Sequence, residues 1–266
     1  MQASSRRAFL VSLGAVAAGT TGCSAGRTEG SAASSPKAPS STARPTSGSP
    51  SPTATRPSAQ DPTASGADLV HGPRDVPAVA LTFHGAGDPS LTRGALAALA
   101  AADAKVTVMA VGTWLQQNPS LARAVLDAGH ELGNHTWSHQ AMRRLGPVAC
   151  RTEIARAKAL ITELAGTPVR WFRPSGTPTS TATIRAAALA SGYDRCLSYD
   201  VDPLDYTDPG AAAVTRGVLS AVRPGSIVSL HLGHAGTVAA LPDVLAGLAD
   251  RGLRAVTTSS LVQGRG

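Results

Sequence analysis

Ala78-Val79-Ala80-Leu81-Thr82-Phe83-His84-Gly85-Ala86-Gly87-Asp88 is the stretch on which the fold turns. The apolar run over residues 78–83 reads as a short strand, the glycines after it as a loop, and the Ala/Leu-rich segment beyond as a helix. The same alternation recurs outward along the chain. Further strand candidates lie near residues 105–111, 131–134, 169–173, 195–199, 226–231 and 253–256. Between them, Asn118-Pro119 opens a helix that Gly129 closes, Gly146-Pro147 opens one that Gly166 closes, and Asp208-Pro209 opens a third. Repeated βα units of this kind predict an α/β fold, a distorted (β/α) barrel of about seven parallel strands, although an open doubly wound sheet has the same local pattern. In either architecture chemistry belongs at the carboxyl ends of the strands.

Upstream of this domain, expected to occupy residues 76–266, the composition changes twice. Arg6 and Arg7 precede an apolar run over residues 8–19 that is too short to cross a bilayer. Ser5-Arg6-Arg7-Ala8-Phe9-Leu10 resembles a twin-arginine export signal, and Gly22-Cys23 resembles a lipoprotein cleavage and acylation point. Residues 1–23 are therefore expected to export the protein, to the outer face of the cytoplasmic membrane through a lipid on Cys23 or into the medium. Residues 24–75 are dominated by Ser, Pro, Thr, Ala and Gly and contain no aromatic residue, so they cannot bury enough apolar surface to offset chain entropy and read as a tether.

Charge excludes one class of partner. Lys and Arg number 24 against 17 Asp and Glu, but the net +7 is dispersed, and no basic stripe interleaved with aromatics marks a nucleic-acid binder. Once Cys23 is set aside, Cys150 and Cys196 remain, either a disulfide suited to an oxidising compartment or two buried thiols.

Unusual residues gather at the expected strand ends. Of six histidines from residue 76 onward, His84, His135, His139, His231 and His234 fall there, together with Phe83, Trp137, Trp171, Phe172, Tyr199 and Tyr206. His135-Thr136-Trp137-Ser138-His139 spaces two imidazoles so that both can reach one cation.

Five strings, in order, resemble the polysaccharide deacetylase family, the NodB-homology domain of carbohydrate esterase family 4. That family has Thr-Phe-Asp-Asp-Gly, His-Ser/Thr-x-x-His, Arg-Pro-Pro, Asp-x-x-Asp-Trp and Leu-His. This chain has Thr82 to Asp88, His135 to His139, Arg170 to Gly176, Asp202-Pro203-Leu204-Asp205-Tyr206, and Ile227 to His231. The likeness spans about residues 76–260 and implies a metal-dependent hydrolase that removes N-acetyl or O-acetyl groups from a polysaccharide.

The resemblance implies that His135 and His139 hold a divalent metal, Zn2+ first, with Co2+ or Ni2+ compatible. It makes His231 the general acid with Asp205 orienting it, places Arg173 beside a carboxylate base, and puts Leu230 and Tyr206 around the acetyl group. Trp137 and Trp171 are candidates for stacking on sugar faces. The first string departs from the family, because His84-Gly85 stands where the family has its two aspartates. Asp88 in the following loop is then a candidate ligand or base, and His84 a third ligand or the proton acceptor. Pro174-Ser175-Gly176 is one residue shorter than its family counterpart, and Tyr206 replaces a Trp. The partner expected is an acetylated polysaccharide and the chain a monomer, with membrane contact only through Cys23. The competing reading is a carbohydrate-binding lipoprotein that has kept the barrel and lost turnover with the aspartate pair.

Overall fold

The structure is a computed structural model that describes residues 66–265. The twin-arginine segment, Cys23 and the expected tether as far as residue 65 lie outside the described residues. The last part of the expected tether proves to be packed. Leu69 is 2% exposed, its N–H donates to the Cys196 carbonyl at 2.8 Å, and Arg74 pairs with Asp200 at 2.7 Å. The packed body thus begins before residue 76, held by the buried Leu69 together with backbone and side-chain contacts of Asp68, Gly72 and Arg74.

Five parallel strands are present among the described residues. They are β1 (Ala78–Gly85), β2 (Thr107–Ala110), β3 (Glu131–Asn134), β4 (Ile227–His231) and β5 (Arg254–Ala255). The order is β3-β2-β1-β4, and β5 pairs with the first residues of β1. β1 is central and almost wholly buried, as a strand covered on both faces must be. Side chains alternate across it: Val79, Leu81 and Phe83 face the main core beneath the helices, while Ala78 and Ala80 belong to a second cluster with Met109, Trp171 and Ile227.

Two of the seven expected strands, near residues 169–173 and 195–199, are reduced to single parallel bridges, Asn134 with Phe172 and Leu69 with Leu197. Prolines explain the first, since Pro168 and Pro174 bracket the run and carry no N–H to extend a ladder. The wall nevertheless continues through backbone bonds from Leu197 N to the Phe172 carbonyl and from Ser198 N to the Leu69 carbonyl. The result is a distorted barrel, regular on one side and held by isolated bridges on the other.

The helices start where local chemistry directs. Asp88 caps α1 (Pro89–Ala101), with Pro89 in the first turn. α2 (Gly112–Gln117) and α3 (Pro119–Asp127) meet at Asn118, and α4 (Pro147–Ala165) ends on Gly166 at φ 72°. α5 (Ala182–Ala190), α6 (Ala211–Ala221), α7 (Ala235–Ala249) and α8 (Thr258–Val262) complete the shell. Cys150 and Cys196 are both free and buried, in a third cluster with Ile154, Phe172 and Ile184, so of the two readings the thiols hold. Burial pushes the Cys196 thiol up to about 12, which leaves it inert.

Candidate active site

The carboxyl ends of β1, β3 and β4 bring four of the five rim histidines together. The parallel register sets His84 opposite His231, with ring centroids 4.2 Å apart. His84 lies 4.2 Å from His135, and His135 lies 4.9 Å from His139. One ring nitrogen from each of His84, His135 and His139 falls within 4.8 Å of the others, a span that side-chain rotation closes onto one cation.

The donor chemistry fits such an ion. His135 Nδ1 faces the Arg173 carbonyl at 2.9 Å and so carries the proton, leaving Nε2 buried with a lone pair and no protein partner. His84 Nδ1 is likewise buried and unpartnered. Both rings are held well below the ordinary imidazole range, first by burial and then by neighbouring imidazoles. Neutral rings with orphaned lone pairs are what a metal requires.

Holding His135 and His139 takes a strained loop. Thr136 and His139 sit at φ 72° and 57°, in the left-handed region that a β-branched residue rarely enters. Glu153 of α4 fixes this loop. Its carboxylate accepts from the N–H groups of Trp137 and Ser138 at 3.1 and 2.8 Å, from Ser138 Oγ at 2.8 Å and from Gln140 Nε2 at 3.3 Å. Nothing local in the sequence marks Glu153, because its partners lie at least 13 residues away.

His231 is oriented by a buried carboxylate. Asp205, 1% exposed, accepts from His231 Nδ1 at 2.7 Å, from the His231 N–H at 2.8 Å and from Thr237 Oγ1 at 2.6 Å. That commits Nδ1 and leaves Nε2 for the cavity. Tyr206 is 48% exposed and packs edge-on against His231 at 5.2 Å.

These groups border a cavity of about 630 Å³ lined by His84, His139, Arg173, Tyr199, Asp202, Tyr206, Ser229, His231 and His234 among others. A cavity of about 720 Å³ elsewhere, against Ala98, Leu245 and Leu253, contains no histidine and no constellation of reacting groups.

Four sequence expectations are corrected. Asp88 is fully exposed at the start of α1, where its carboxylate accepts from Ser90 N at 2.7 Å, and it is not part of the three-histidine group. The loop that was to fold it back instead presses Gly87, at φ 92°, against Gly233, where a Cβ would stand 2.4 Å from the Gly233 Cα. Leu230 lies in the main core, since strand alternation sends residues 229 and 231 to the cavity and residue 230 away from it. Trp137 is buried with Arg156 over its ring at 3.7 Å, and Trp171 is buried with its N–H on Ser259 Oγ at 3.0 Å, so neither faces a sugar. Tyr199 and His234, expected at the rim, and Asp202 of the fourth string also line the cavity although the sequence assigned them no role; Ser229 was missed, and the period-two rule that excluded Leu230 was the available signal.

Arg173 is in the cavity wall, 1% exposed, without the carboxylate the resemblance implied. Its Nη2 donates to the Ser198 carbonyl at 2.9 Å, while Nε and Nη1 have no partner.

Residues 71–195 match the sequence profile of the polysaccharide deacetylase family. A peptidoglycan-N-acetylglucosamine deacetylase of Bacillus cereus is 33% identical over 195 residues, which cover 72% of this chain and 91% of the relative. The chain belongs to the polysaccharide deacetylase family. Among solved structures of this deacetylase family, a family 4 carbohydrate esterase from Streptomyces lividans in complex with acetate is 30% identical, covering 69% of this chain and 93% of that one, with a TM-score of 0.63. A family 4 pseudoenzyme from Bacillus anthracis, 25% identical, covers 75% and 70% with a TM-score of 0.70.

Proposed function

We propose that this chain is an exported, metal-dependent deacetylase that hydrolyses acetyl groups, as amide or ester, on a cell-wall or extracellular polysaccharide. The observation that carries the reading is the convergence of His84, His135 and His139 on one point beside the His231–Asp205 pair. His84 is the third ligand, in place of the carboxylate lost from the first string. A divalent cation held there would polarise the acetyl carbonyl and acidify a water molecule.

The chain's own residues handle the protons. With Nδ1 committed to Asp205, His231 Nε2 accepts a proton from the attacking water and returns it to the nitrogen or oxygen that leaves, so one imidazole serves as base and then as acid. Water adds to the acetyl carbon, the carbon–nitrogen or carbon–oxygen bond breaks, and acetate departs. Tyr206, half-exposed at the cavity mouth, offers its ring to a sugar face in place of the buried tryptophans.

A second reading, a glycan-binding protein without turnover, is favoured by one observation: the three-histidine group contains no carboxylate. Acetate release from acetylated chitooligosaccharides and peptidoglycan, measured before and after chelation and after return of Zn2+, Co2+ or Ni2+, separates the two. Turnover that chelation abolishes and one bound cation per chain support the deacetylase. A stoichiometric cation or glycan binding with no acetate from any substrate overturns it in favour of the binder.

A further inference from the structure

Among the described residues, His234 is the one imidazole of the cavity lining with no part in the three-histidine group or in the proton transfer at His231. Its setting nevertheless repeats that of His231. Asp205 and Asp208 lie three residues apart on one turn, and His231 and His234 lie three residues apart from the end of β4 to the start of α7. The pairs match in order: His231 Nδ1 meets Asp205 at 2.7 Å, and His234 Nδ1 meets Asp208 at 2.8 Å. The turn that presents both carboxylates is bracketed by Leu204 at φ 56° and Asp208 at φ 53°, in the left-handed region. An ionised carboxylate can only accept, so each ring carries a proton on Nδ1 and turns Nε2 to another partner. A carboxylate on one nitrogen of an imidazole is the arrangement that orients the other nitrogen toward a metal and makes it a stronger donor.

The rim imidazoles form a row. Ring centroids run 4.9 Å from His139 to His135, 4.2 Å on to His84, 4.2 Å on to His231 and 5.9 Å on to His234. Two imidazoles bound to one cation through nitrogens about 2.0–2.1 Å from it have centroids about 5–6 Å apart. The His231–His234 spacing meets that condition, and it lies inside the range of 4.2 to 6.5 Å spanned by the rings of the three-histidine group. Charge also favours this end of the row. A carboxylate stands behind each of His231 and His234, whereas the three-histidine group contains none. Those two negative charges offset the repulsion that a cation on the first group exerts on a second one.

We propose that His231 Nε2 and His234 Nε2 form a second site for a divalent cation of the Zn2+ class, filled only at excess metal and inhibitory when filled. Two imidazoles hold a cation less firmly than three, and water completes its shell, so this site fills after the first. The cation takes the lone pair with which His231 accepts the proton of the attacking water, and metal and proton therefore compete for one nitrogen. The inhibition rests on the deacetylase reading; the site itself does not.

The test counts cations before it measures turnover. The full chain, stripped of metal by chelation, is titrated calorimetrically with Zn2+, and bound metal is measured by elemental analysis after equilibrium dialysis across the same range. Two steps are expected, the second weaker than the first. His234→Ala should remove the second step and keep the first; His234 makes no side-chain bond at the start of α7, so the helix loses no cap. Asp208→Asn, which keeps the ring and removes the charge behind it, should weaken the second step by about tenfold or more. Acetate release followed over the same titration should rise with the first cation and fall with the second, and the Zn2+ concentration for half-inhibition should increase about tenfold or more in both variants. A single cation per chain at every concentration overturns the site, as does a second step unchanged in His234→Ala. Turnover that stays constant while the second cation binds overturns the inhibition. A second cation lost from His234→Ala sustains the site even where no substrate releases acetate, and acetate release with only one cation ever bound overturns the site while sparing the deacetylase reading.

Discussion

At the scale of single residues, the site is set by which side-chain nitrogens are already occupied. His231 has Nδ1 fixed by Asp205 and so keeps one nitrogen for proton transfer. Asp205→Asn should lower kcat by about a hundredfold or more with little change in KM, because it leaves the ring in place and removes its orientation and charge partner. Cation binding distinguishes two residues four positions apart, His84 at the end of β1 and Asp88 at the start of α1. His84→Ala should lose the bound metal, read as metal per chain by elemental analysis, whereas Asp88→Ala should keep both metal and activity and show only a small fall in Tm from the lost helix cap. A drop in metal content in Asp88→Ala would return that carboxylate to the site.

At the scale of elements, the site depends on how α4 and β1 hold their neighbours. Glu153 of α4 satisfies two backbone N–H groups and two side chains of the loop that carries His135 and His139. Glu153→Ala should cost about 2–4 kcal/mol in denaturant unfolding and weaken metal affinity, since the left-handed turns at Thr136 and His139 lose their clamp. In β1, Gly85 stands where the family has an aspartate, and the packing has adjusted to it. A Cβ there would meet Trp114 and Val108 at 2.9 Å and the Ala110 Cα at 3.1 Å. Gly85→Asp should therefore destabilise the protein by about 1–3 kcal/mol, measured as a shift in urea midpoint, instead of restoring a ligand.

Across the whole molecule, burial of imidazoles couples stability to pH. His130 is buried, receives the Val106 N–H on Nδ1, and is lowered to about 4, chiefly by burial and then by Lys105. The folded state thus binds fewer protons than the unfolded chain, whose histidine titrates near 6.5. Its contribution is complete above about pH 6.5 and is lost as the pH falls toward 4. His84 and His135 act in the same direction in the metal-free protein. Thermal unfolding followed from pH 7 to pH 4 should show Tm falling through this window, and His130→Gln should flatten part of the slope. A slope unchanged in that variant would mean that His130 takes up protons alike in the folded and unfolded chains.

The sequence by itself determined the βα order, the helix starts at Asn118-Pro119 and Gly146-Pro147, and the histidines at the strand ends, because these follow from neighbours within a few residues. It also placed His231 beside Asp205, through the ordered strings of the family. Tertiary structure alone decided the rest. Whether residues 169–173 formed a strand depended on the prolines at both ends and on the partner strand available. Whether Asp88 turned inward depended on the competing pull of a helix N-terminus and on the close approach of Gly87 to Gly233. That Trp137 and Trp171 are core residues, that Leu230 faces away, and that Arg173 has no counter-ion are facts of distance in space, which a linear pattern of residue types does not encode.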